Sequence, residues 1–154
     1  MGNVTAKKYL MTPGPTPVPE DVRAEMAKPI IHHRTKEYQA IFKDVTEGLQ
    51  KIYKTSNDVY TFTSSGTGAM EASIVNVLSA GDKIIVVRGG KFGERFGEIA
   101  TAYGVEVIPV DVAWGSGPKP EVIEETLKKN PGVKAVYTTL CETSTATVFD
   151  IKAI

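Results

Sequence analysis

The chain has only one cysteine, Cys141, among its 154 residues. No internal disulfide framework can form, and a lone thiol fits a reducing compartment such as the cytoplasm. Histidine is scarce as well: His32 and His33 are the only two, and with one cysteine they offer no zinc-ligand spacing. They are expected, with Arg34, at an interface or at the rim of a site. There is no basic stripe. Eighteen basic and eighteen acidic residues cancel, which argues against nucleic acid or an anionic membrane as the main partner. No apolar run approaches the roughly 20 residues needed to cross a bilayer. The opening residues, MGNVTAKKYLMTPGP, lack the apolar core of a signal peptide. What is present is 42% hydrophobic residues, enough to bury the core of one domain, expected to be soluble and cytoplasmic.

Proline is clumped. Four of the nine fall in LMTPGPTPVPE, which must run extended or turned. A short helix is expected over Glu20–Lys28, stopped by Pro29. Apolar residues then recur at Tyr38, Ile41, Phe42, Val45, Leu49 and Ile52, the spacing of one helix face over Lys36–Tyr53. Strands and helices alternate afterwards. Strands are expected at Val59–Thr63, Lys83–Val87, Val105–Val110 and Ala135–Thr139. Helices are expected at Ala69–Leu78, from Phe92 to Tyr103, and at Glu121–Lys129. The unbroken KIIVV run reads as a strand buried on both faces. Such alternation predicts an α/β domain with a largely parallel sheet. Asp150 is a credible helix N-cap, but only IKAI follows it, and one turn cannot hold itself together. The expectation is that a longer protein continues beyond Ile154.

The joint VYTFTSSGTGAMEA is the chemically suggestive stretch. A chain that turns through small residues into a helix start leaves backbone N–H groups unpaired where the helix dipole favours negative charge. Gly66 and Gly68 allow close approach, and Ser65 and Thr67 can add hydroxyl donors. A phosphate monoester suits such a cradle; a plain strand-to-helix turn is the alternative. A P-loop would need a lysine after Gly68, and a dinucleotide fingerprint a small residue at Glu71; both are absent. Arg88, after the next strand, keeps an NADP-type reading open. The nucleophile elbow GxSxG is not matched, and Cys141 has no histidine in a recognisable relation to it.

Four stretches read together are more specific. MTPGPTPVPEDV, HHRTKEY, TSSGTGAMEA and TTLCETST follow one another in the order and at roughly the spacing found in class V aminotransferases. The chain resembles the alanine–glyoxylate and serine–pyruvate branch of these pyridoxal phosphate enzymes, over about the first two-fifths of a typical member. The resemblance implies a three-layer αβα domain with a mostly parallel central sheet, the large domain of fold type I, here incomplete. Residues 1–35 would form an N-terminal arm and short helix, and 36–154 the first part of the cofactor-binding domain. It implies that Ser65, Gly66 and Thr67 bind the cofactor phosphate. Phe92 would stack on the pyridine ring, with core packing through Phe96 as the alternative. Ser144 would stand near the phenolic oxygen, Glu142 would order that loop or simply be solvated, and Gly14 would lie near the substrate carboxylate or serve only its turn. Two departures stand out: Ala146 replaces a glycine after the Ser-Thr pair, and Cys141 stands where histidine or asparagine is common.

The resemblance also implies what these 154 residues leave to another part of the protein. The Schiff-base lysine, the carboxylate for the pyridine nitrogen, the substrate arginine and the small domain lie beyond this span in the family. No catalytic residue is therefore expected in this chain, which alone would be inactive. The complete enzyme would pass an amino group from a small amino acid such as alanine or serine to a 2-oxo acid such as glyoxylate or pyruvate, as a homodimer. By itself the chain would expose sheet edges and tend to associate. A non-catalytic phosphate-ligand module and an NADP-dependent oxidoreductase domain remain the alternatives.

Overall fold

A computed structural model describes residues 9–154; the reading of residues 1–8 as the start of an extended arm lies outside the described residues. The chain divides into two compact units, Met1–Thr63 and Ser64–Ile154.

In the first unit, Glu20–Met26 (α1) begins after Pro19, carries Glu20 and Asp21 in its first turn, and stops short of Pro29. Lys36–Tyr53 (α2) matches the expected span. Thr35 caps it, its hydroxyl accepting from the Tyr38 N–H at 3.2 Å, and Lys54 ends it in the left-handed region at φ 51°. The apolar stripe stands where the spacing put it, yet no residue of α2 is buried; Ile41, Phe42 and Val45 are about half exposed.

The strand expected at Val59–Thr63 is not formed. These residues have no ladder partner among the described residues, and Tyr60 and Phe62 are exposed. Apolar alternation gives a segment the capacity to pair, but a strand exists only where a neighbour supplies the opposite row of N–H and C=O groups.

The second unit holds a parallel sheet built around Lys83–Arg88 (β1). Glu106–Asp111 (β2) pairs on one side and Val133–Tyr137 (β3) on the other, in the order β2-β1-β3. The helices are Gly66–Val75 (α3), Lys91–Ala102 (α4) and Pro120–Lys129 (α5). β1 is central, so alternate side chains enter two cores. Ile84 and Val86 join Ile74 of α3, Ala100 of α4 and Val105, whereas Ile85 and Val87 join Val110, Ile123 of α5 and Phe149. All four β1 residues are fully buried, which bears out the reading of KIIVV as a doubly covered strand. Each such side chain contributes about 1.5–3 kcal/mol by burial. The αβα layering and the parallel sheet are thus as expected. The β1–β2 register sets opposite charges side by side at both ends, Lys83 with Glu106 at 3.5 Å and Arg88 with Asp111 at 2.7 Å.

One feature had no sequence expectation. Cys141–Glu142 (β4) and Thr147–Val148 (β5) form a small antiparallel hairpin after β3. Ala146 turns that hairpin at φ 54°, a left-handed conformation that costs a residue with a Cβ about 1–2 kcal/mol. The alanine-for-glycine departure noted above therefore falls where glycine would be relaxed. The hairpin returns the chain so that Phe149 is buried in the core, its N–H donating to the Leu140 carbonyl at 2.8 Å. After it, Asp150 accepts from the Ala153 N–H at 3.2 Å, capping a single turn.

Candidate functional site

α3 starts at Gly66, directly after the serine pair. Ser65 holds the cap position, but its side chain makes no capping bond. Ser64 Oγ instead donates to the Ser65 carbonyl at 2.7 Å, and the Gly68 N–H donates to the same carbonyl at 3.0 Å. The N–H groups of Gly66 and Thr67 meet no acceptor among the described residues, and the first turn carries no acidic side chain. Gly68 lets Ser64 lie against the turn: a Cβ there would come within 2.0 Å of Ser64 Oγ and 2.9 Å of its Cβ, so that side chain would have to move. The turn is therefore tightly folded while its donors stay free, which favours an external anion.

Gly66, with Thr67 next in the chain, borders a cleft of about 340 Å³, a volume in the range of small-molecule sites. Gly66 and Met70 of α3, Phe92 and Phe96 of α4, and Thr138–Cys141 after β3 line it. The two phenylalanines divide their roles. Phe96 packs against the core and lies 5.2 Å from the Tyr137 ring, centroid to centroid, whereas Phe92 stays 42% exposed. Thr138 is one of the lining residues, and its Oγ1 is buried with no hydrogen-bond partner among the described residues, a polar atom whose cost a ligand could offset.

The start of α4 is built differently. Glu142, fully buried, receives the N–H groups of Phe92 at 3.3 Å and Gly93 at 3.2 Å, and the Ser144 hydroxyl at 2.6 Å. Ser144 Oγ in turn accepts from the Lys91 N–H at 3.0 Å. Gly90 leaves room for this arrangement: a Cβ would lie 2.3 Å from Glu142 Cγ and 2.5 Å from Ser144 Oγ. Burial alone would raise the Glu142 carboxyl, but hydrogen bonds from the Ser144 hydroxyl and from the Gly93, Phe92 and Ser144 N–H groups outweigh it and hold its pKa below the ordinary value.

Of the residues singled out from sequence, Gly66 and Phe92 border one cleft, with Ser65 and Thr67 flanking Gly66 in the chain. Ser144 does not line that cleft; its hydroxyl is taken up between Glu142 and Lys91, next in the chain to Phe92. Gly14 belongs to the first unit, in an exposed segment where a Cβ would meet nothing within 4 Å. His32 and His33 stack on each other at 4.6 Å, and the Arg34 N–H donates to His32 Nδ1. Arg88 is not a free cation: Asp111 accepts two bonds from its guanidinium, at 2.7 and 2.8 Å, which weakens the NADP-type reading. Sequence reasoning missed the unpartnered Thr138 hydroxyl. For Glu142 it left loop ordering and a solvated side chain open; full burial overturns the solvated alternative, and the hydrogen bonds reach beyond the loop to the start of α4. Among the described residues no helix is long and apolar enough to cross a membrane.

The parallel αβα unit agrees with what comparison with known proteins finds. The aminotransferase class-V family profile matches residues 8–154, and the chain belongs to this family. An uncharacterized aminotransferase of Methanocaldococcus jannaschii is 46% identical over 148 residues, 96% of this chain and 38% of that protein. The L-aspartate–glyoxylate aminotransferase of Paracoccus denitrificans is 34% identical, over 98% of this chain and 39% of that protein. Among solved structures, the subgroup IV aspartate aminotransferase of Thermus thermophilus superposes with a TM-score of 0.85 at 34% identity, over 95% of this chain and 40% of that one. The chain thus spans about two-fifths of the proteins it matches. The resemblance read from the four motifs is borne out.

Proposed function

We propose that this chain is the cofactor-cradling part of a pyridoxal phosphate-dependent aminotransferase, with residues 36–154 belonging to its large domain. The observation that carries the reading is the pair of unmatched N–H groups at Gly66 and Thr67, beside a cleft walled by the exposed Phe92 ring. The residues fit the group. A phosphate monoester matches the free donors at the positive end of α3, with the Ser65 and Thr67 hydroxyls adding to them. Phe92 offers an aromatic face to a planar ring, and the buried Thr138 hydroxyl lacks a partner. When bound, the cofactor supplies the electron sink for moving an amino group.

In this reading the chain's own residues bind and orient. Ser65, Gly66 and Thr67 anchor the phosphate, Phe92 fixes the ring plane, and Ser144 of the β4–β5 turn, its hydroxyl engaged by Glu142 and Lys91, supports that wall at the start of α4. Gly14 would approach the substrate carboxylate. The lysine that bonds the cofactor, the remaining substrate contacts and the small domain come from a complementary portion of the protein, so that this chain alone is inactive. The substrates are a small amino acid such as alanine or serine and a 2-oxo acid such as glyoxylate or pyruvate; the glyoxylate named for the Paracoccus relative supports this class. The working form is a cytoplasmic homodimer.

Titration with pyridoxal phosphate, NADP and inorganic phosphate ranks the readings. The aminotransferase reading expects pyridoxal phosphate to bind tightest, with phosphate competing. Preference for NADP, weakened by Arg88→Ala, would point to an oxidoreductase domain. Equal affinity for phosphate and pyridoxal phosphate would point to a non-catalytic module.

A further inference from the structure

The cleft and the buried carboxylate are coupled through the backbone. Glu142 has no exposure to a ligand, yet it grips α4 at Phe92 and Gly93, and it fixes Ser144, which grips Lys91. Three successive N–H groups at the start of α4 are thus held by two side chains of the β4–β5 hairpin. The Phe92 ring, one wall of the cleft, projects from the middle of those three residues. Gly90 is shaped to the same end, since any side chain there would collide with both Glu142 and Ser144. The network is also selective in what it bonds. Besides the start of α4 it takes the hydroxyl of Thr139 in the cleft wall, at 3.5 Å, and among the described residues no hydrogen bond joins it to Ser65, Gly66 or Thr67 of the α3 start.

We propose that Glu142 is the positioning residue of the cleft, setting the place of the Phe92 ring directly and through Ser144 so that a ring-bearing phosphate ligand fits while the phosphate grip itself is independent of it. This rests on the cofactor reading above and deepens it. Glu142 touches no ligand. It acts by satisfying buried donors that would otherwise pull α4 out of register with the hairpin. A glutamine keeps the shape but turns an amide N–H₂ toward donors, so the network cannot be completed.

The test compares two ligands on the 154-residue chain, pyridoxal phosphate and inorganic phosphate, in wild type, Glu142→Gln and Gly90→Ala, with folding checked by circular dichroism. Gly90→Ala displaces Glu142 sterically without altering its charge, at a φ of 170° that any residue adopts. Each variant is expected to weaken pyridoxal phosphate about tenfold while phosphate affinity stays within about twofold. A merely structural role would lower both affinities together. Equal loss of both ligands, no loss of either, or failure of both variants to fold overturns the proposal. A wild type that binds pyridoxal phosphate, with variants that match it, removes only the positioning role; a wild type that binds phosphate but not pyridoxal phosphate removes the cofactor reading and this inference with it.

Discussion

α3 and α4 begin alike in sequence and end in opposite states. Both follow a turn of small residues, Ser64-Ser65 in one and Gly89-Gly90 in the other, and both present unpaired N–H groups at the positive end of a helix. At α4 the chain supplies its own anion, the Glu142 carboxylate, and the Ser144 hydroxyl completes the cap. At α3 no side chain caps, no carboxylate stands in the first turn, and two donors stay bare beside the cleft. A glycine turn before a helix therefore does not identify an anion site. What distinguishes the two is whether a distant segment, here the hairpin some 50 residues later, delivers a carboxylate to it.

Glycine substitutions should separate the two starts most sharply. At Gly93 a Cβ would lie 2.3 Å from the Val87 carbonyl oxygen, a backbone atom that cannot turn away. Gly93→Ala should destabilise the chain by about 3 kcal/mol in urea unfolding. Gly66→Ala meets nothing within 4 Å, so stability should stay within about 0.5 kcal/mol. Its methyl group would sit at the cleft, and pyridoxal phosphate affinity should fall about tenfold by titration, since loss of about 1.4 kcal/mol is a factor of ten. Equal stability loss at both glycines would erase the contrast.

Acid should reveal the occupied start next. Burial opposes the charge on Glu142, but its hydrogen bonds win and hold its pKa below the ordinary 4.5. A lowered carboxylate stabilises the fold fully above its unfolded-chain value, and that contribution fades as pH falls through the lower folded value. The urea midpoint should drop on acidification in that window, and Glu142→Gln should flatten that part of the drop. An unchanged acid limb in the variant would mean that the carboxylate is not what caps α4. The smallest effect concerns the hairpin that carries the cap. Ala146→Gly should stabilise by about 1 kcal/mol by relieving the left-handed residue at φ 54°, measured as a higher melting temperature.

Local pattern made most of the fold legible. KIIVV declared a strand covered on both faces, and α2 ran from Lys36 to Tyr53 as its apolar spacing required. Val59–Thr63 misled, because apolar alternation records the ability to pair and not the presence of a neighbour. The β4–β5 hairpin was not foreseen, since two-residue strands leave no periodicity to read. The α3 turn could be picked out from Ser65, Gly66 and Thr67 alone, because its chemistry is local. Glu142 could not be weighed in the same way: its partners lie 49 and 50 residues away, and only the folded hairpin brings its carboxylate under α4. Ala146 lay between these cases, visible as a departure from a family pattern but with a cost that only its φ reveals.

The most direct test follows the backbone amides of an isotopically labelled chain by NMR while pyridoxal phosphate is added. The account expects the Gly66 and Thr67 amide signals to shift most, with Lys91, Phe92 and Gly93 amides still protected from exchange by Glu142 and Ser144. Largest shifts at the α4 amides, or saturation of the chain with the Gly66 and Thr67 signals unmoved, would contradict it.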